Sequence, residues 1–134
     1  MPEASREEIA KRVDAIEGGY EMMLAYAAQG LPTDQGAANS GQLREYLKRF
    51  DEALTGLADQ FKAVVTAEGR EPRAALDAFF DVLARDAQAS QACLRVVLGQ
   101  KGISSQLIDN LNASIHVRAL LTDLFLIDEL LKGN

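Results

Sequence analysis

Apolar residues recur along the chain in four blocks, each with helical spacing. The second block is the most regular: Leu43, Leu47, Phe50, Leu54, Leu57, Phe61 and Val64 alternate four and three residues apart. That alternation is the seam of a helix packing on other helices at a shallow angle, and it predicts a helix over 41–67. In the first block Ile9, Val13, Ile16, Tyr20, Met23 and Ala27 predict a helix over 5–29. Ser5 and Glu8 stand in the spacing of a capping box at its start, and Gly30 and Pro32 end it. The third block (Leu76, Phe79, Phe80, Leu83, Ala87, Ser90, Leu94 and Val97) predicts a helix over 72–98 with Pro72 in its first turn. The fourth runs over 104–132, capped by Ser104 or Ser105 and followed by Gly133.

Between the first two blocks, Gly30 to Gly41 reads GLPTDQGAANSG, a loop by composition. It exceeds the usual 2–8 residues of a helix connection. It reads as a mobile surface loop, with a lid or partner-binding loop as the sharper alternative. The other connections are short, so neighbouring helices should run antiparallel. The expected fold is all-α: a single-domain, up-down-up-down four-helix bundle with helices about 40 Å long.

Composition narrows the function classes. The 134 residues carry 14 basic and 20 acidic side chains, a formal charge of −6. A chain this acidic lacks the electrostatic footprint of a nucleic-acid protein and has no attraction for an anionic membrane. No segment reaches the roughly 18 uninterrupted apolar residues of a spanning helix, and the charged start MPEASREE is no secretory signal. With Cys93 as the lone cysteine, no internal disulfide is possible. The expected compartment is the cytoplasm.

Two surfaces carry more apolar area than one bundle needs. In the last block, Leu120, Leu121, Leu124, Phe125, Leu126, Ile127, Leu130 and Leu131 point in nearly every direction. Such a helix must be covered on most sides, so an interface is expected there, anchored by Leu121, Leu124, Phe125 and Leu131. The third helix has a second stripe, Ala75, Ala78, Val82, Ala89, Cys93 and Val96. Either it widens the bundle core, or Val82 and Cys93 belong to a homodimer seam.

Candidate chemistry is sparse. Gly18 and Gly19 interrupt a helix, at about 1 kcal/mol each relative to Ala. A tight helix crossing would explain them; so would a ligand or cofactor cavity reached past Gly19 and lined by Tyr20, Met23 and Tyr26. The lone histidine, His116, shares a helical line with Asp109, Asn112 and Asp123, which reads as a solvated polar face. An enzyme or phosphotransfer role for His116 is the alternative, but Ala119 and Leu120 stand where phosphotransfer bundles place Lys and Gly. Glu17 and Glu21 form an i,i+4 carboxylate pair without the histidines a metal centre would want, so no metal is assigned.

These features point to a non-enzymatic interaction protein (adaptor, assembly factor or regulatory subunit) that self-associates, a dimer being favoured. The alternative is a ligand- or cofactor-binding bundle with its cavity beside Gly18, Gly19 and Tyr20; the ligand itself is unknown.

Overall fold

The computed structural model describes residues 2–36 and 40–132, with side chains over 6–36 and 41–132. Among the described residues the secondary structure is entirely helical: α1 (Pro2–Ala28), α2 (Ser40–Leu54), α3 (Leu57–Ala67), α4 (Arg73–Leu98), α5 (Ser105–Ala113) and α6 (Ile115–Lys132), joined by turns and loops. The expected helices over 41–67 and 104–132 are each two helices. The helix expected from Ser5 begins at Pro2; the Ser5 half of the capping box falls outside the described side chains. Pro72 stands just outside α4, in extended backbone. Residues 37–39 of the expected loop and the expected stop at Gly133 also lie outside the described residues.

The first break lies at Thr55-Gly56, where Gly56 adopts a left-handed φ of 75° that other residues rarely take. Helix ends leave carbonyls without partners. Here side chains from neighbouring helices supply them. Arg12 Nη1 of α1 donates to the carbonyls of Ala53 and Thr55. Gln91 Nε2 of α4 donates to the Asp51 carbonyl (3.0 Å) and to Thr55 Oγ1 (2.8 Å). The apolar seam passes through undisturbed, all seven of its residues being buried. Leu54 and Leu57 keep the same face although the backbone between them is not helical.

The second break is a single residue. Ser114 takes extended backbone, its N–H closing α5 on the Leu111 carbonyl. Its Oγ then accepts from Val117 N (3.2 Å), the hydrogen bond that starts a new helix.

Packing follows from the buried stripes. α1 lies against α2, α3 and α5, while α4 lies against α2, α3 and α6. One cluster of buried apolar residues joins them, with Ile16, Met23, Leu43, Phe50, Leu83 and Leu120 among its wholly enclosed members. Gly18 and Gly19 mark a close approach of α2 to α1. A Cβ on Gly19 would sit 2.7 Å from the Phe50 ring, and one on Gly18 would sit 3.4 Å from Tyr46. Their absent side chains let α2 lie close on α1.

The loop after α1 is pinned where it is described. Asp34 is 2% exposed and accepts from Arg44 Nε (2.6 Å), Arg44 Nη2 (3.3 Å) and the Ile103 N–H (2.7 Å). These donors, the guanidinium first, hold its carboxyl below the ordinary range in spite of burial. Arg44 also donates to the carbonyls of Leu98, Gln100 and Lys101. The Tyr26 hydroxyl donates to the Ile103 carbonyl, and Ser105 Oγ to the Tyr26 carbonyl. The ends of α1, α2, α4 and α5 meet in this knot.

Candidate functional site

The C-terminal half of α6 leaves several large apolar side chains uncovered. Its inward stripe, Val117, Leu120, Leu124 and Ile127, is buried. On the outer side Phe125 is 68% exposed, Leu126 51% and Leu130 47%. Three large apolar side chains adjoining on one helix differ from the scattered exposed apolar residues of any surface.

Clefts flank this face on both sides. Towards α3 and α4 lies one of 610 Å³, lined by Leu76, Phe79, Ile127, Leu130 and Leu131 with Arg70 and Glu68 at its polar edge. Its size and apolar lining are those of a small-molecule site. Towards α1 lie two smaller grooves. One of 420 Å³ runs past Glu17, Gly18, Tyr20, Leu121 and Phe125. The other, of 280 Å³, runs past Ile9, Val13, Leu124 and Leu131.

Charged groups fasten the end of α6. Arg70 donates from Nη1 to the Leu130 carbonyl and from Nη2 to the Leu131 carbonyl, each at 3.1 Å. A cation there also suits the negative end of the helix dipole. Its Nε donates to Glu68 Oε1 (2.9 Å), and Arg6 binds the same carboxylate through Nε (2.6 Å) and Nη2 (2.8 Å). Arg6 first and Arg70 second hold the Glu68 carboxyl down at about 2.

One acid sits inside the α4–α6 seam. Asp123 is buried, with Oδ2 lacking a hydrogen-bond partner among the described groups. Burial first, then the facing Asp86 of α4, push its carboxyl up to about 7.

The candidate residues from sequence separate. Of the proposed anchors, Phe125 is exposed and Leu121 and Leu131 are half-buried, but Leu124 is a buried core residue that reaches only the edge of the 280 Å³ groove. On α4, Val82 lies on the surface, and Cys93 is half-buried against the core. The cavity residues do not converge. Gly19 faces Phe50, while Met23 and Tyr26 are fully enclosed; only Tyr20, with Gly18, lines a groove. Glu17 and Glu21 line that groove with Asp14. His116 is exposed and its carbonyl accepts from Ser90 Oγ (3.1 Å). The polar line drawn through it is broken: Asp109 and Asn112 lie on α5, across the Ser114 break, and Asp123 turns into the α4 seam. Among the described residues no three His, Cys, Asp or Glu side chains come together as metal ligands. None of the described helices is long and apolar enough to cross a membrane.

The Asp34–Arg44 knot, the Arg70 clasp and the Asp86–Asp123 pair were missed from sequence. Each is completed by groups far apart in the chain, from loops as well as helices, so no local spacing announces it. Comparison with protein families, curated proteins and solved structures found no match to the chain.

Proposed function

We propose that this chain is a non-enzymatic interaction protein that self-associates through the outer face of α6. In this reading α2–α3 and α5–α6 each act as one span of an up-down-up-down four-helix bundle, and the assembly works in the cytoplasm. The observation that carries it is the adjoining exposure of Phe125, Leu126 and Leu130. Burying such side chains stabilises association by roughly 1.5–3 kcal/mol each, before the losses of docking. The test is the mass of the native chain across a concentration series, with Phe125→Ser beside it. A dimer that Phe125→Ser dissociates, at unchanged helicity, supports the reading. A dimer indifferent to that substitution removes α6 from it.

The 610 Å³ cleft favours a second reading, an apolar ligand held between α4 and the end of α6. This relocates the ligand site from Gly18, Gly19 and Tyr20 to Leu76, Phe79 and Ile127. It predicts extra mass on the native chain that Leu76→Trp, which fills the cleft, displaces. Absence of any adduct in freshly purified protein counts against it.

A further inference from the structure

We propose that the occupant of the α6 face is a second copy of the chain, laid antiparallel so that Arg118 of each copy meets Glu129 of the other. The inference rests on the self-association reading and adds its partner, direction and register. On the side of α6 away from the core, Ile115, Arg118, Thr122, Phe125, Glu129 and Lys132 follow one another three and four residues apart. That is the spacing of a helix–helix seam. Ile115, 75% exposed, begins it, and Phe125 lies near its middle.

The charges on this seam select the partner's direction. Arg118 and Glu129 are both exposed, and among the described residues neither joins an ion pair. A parallel copy would set Arg118 on Arg118 and Glu129 on Glu129. An antiparallel copy, with the two-fold axis between Thr122 and Phe125, sets Arg118 on Glu129 at both ends. The same alignment layers Thr122 against Phe125 at the centre. It also lays the Lys132 stem over Ile115 while its ammonium stays on Asp128 of its own chain (3.1 Å). Sliding the copy by one layer puts Arg118 on Phe125 and Glu129 on Ile115 in one direction, and sets Arg118 on Lys132 and Glu129 on Thr122 in the other; both lose the Arg118–Glu129 pair. Leu126 flanks the centre and closes it from water. A symmetric contact of this kind ends at two chains.

The test is sedimentation of the full chain, over a concentration series, for the wild type, Arg118→Glu, Glu129→Arg and the double variant. Each single variant should raise the dimer dissociation constant about tenfold or more, and the double should return it to within about threefold of wild type. Single variants without effect, or a double no better than either single, overturn the antiparallel alignment. If Phe125→Ser still dissociates that dimer, self-association through α6 survives the failure. A wild type that stays monomeric at every concentration overturns both, and leaves the face to a different protein. Amide exchange of the wild type, dilute against concentrated, reads the alignment without any substitution. New protection should centre on Thr122–Phe125, and protection confined to other helices overturns the proposal.

Discussion

The two ends of the molecule solve the same problem in opposite ways. Each gathers helix ends, whose free carbonyls and N–H groups need partners. At the Asp34 end an arginine, a tyrosine, a serine and a buried carboxylate satisfy the backbone. At the Arg70 end the arginine also binds free carbonyls, but an apolar cleft and an exposed leucine remain beside it. Polar satisfaction alone therefore does not tell the two ends apart. What separates them is whether apolar surface is left over once the polar groups are matched.

Removing the buried carboxylate should break the closed end hardest. Asp34→Ala leaves Arg44 Nε and the Ile103 N–H without their acceptor and the guanidinium without its counter-charge, and about 3–5 kcal/mol of stability should go, read by urea unfolding. At the open end Arg70→Ala should cost less, about 2 kcal/mol, with faster amide exchange confined to the last turns of α6. Acid sharpens the contrast. The Glu68 carboxyl is depressed in the folded state, so its contribution is complete above the ordinary glutamate range. It is lost as pH falls from about 4.5 to about 2. Glu68→Gln should flatten the stability profile in that window.

Between the two ends, Asp123 titrates with the other sign. Its carboxyl is raised, so the folded chain holds a proton that the unfolded chain has released. Stability from this group is fully present below the ordinary aspartate range and declines as pH climbs towards about 7. Asp123→Asn should stabilise the chain at pH 8 by on the order of 1 kcal/mol and remove that slope. The smallest folding effect belongs to the open face itself. Phe125→Ser should leave the unfolding free energy within about 0.5 kcal/mol while changing the association state.

How much of this was legible in the sequence depended on whether a signal was local. The seam from Leu43 to Val64 foretold burial residue by residue, yet hid the break inside it. Leu54 and Leu57 are three apart, the spacing a helix uses, and the left-handed turn at Gly56 preserves the face. Ser114 lies in a run with no Gly or Pro to mark it, and only its capping hydrogen bond to Val117 reveals its role. The Gly18-Gly19 pair correctly announced that something must approach α1. Only the position of Phe50 identifies that neighbour as a helix. For α6 the sequence counted too many apolar residues for one core stripe, and Phe125, Leu126 and Leu130 are the surplus. It could not assign Leu124 to the inside, because inward and outward rows of an almost wholly apolar helix look alike. The cleft was beyond reach, since Leu76 and Ile127 lie on different helices.

The Arg44 guanidinium has a kinetic consequence. It holds the carbonyls of Leu98, Gln100 and Lys101 while gripping Asp34, which in turn holds the Ile103 amide. The amides of Leu31 and Ser105 are tied into the same region, one to Ser105 Oγ and the other to the Leu31 carbonyl. No one of these strands of chain can lift away while the rest stay. The loop after α1 and the turn before α5 should therefore exchange their protected amides through a single shared opening, as one cooperative unit, despite standing some seventy residues apart in the chain.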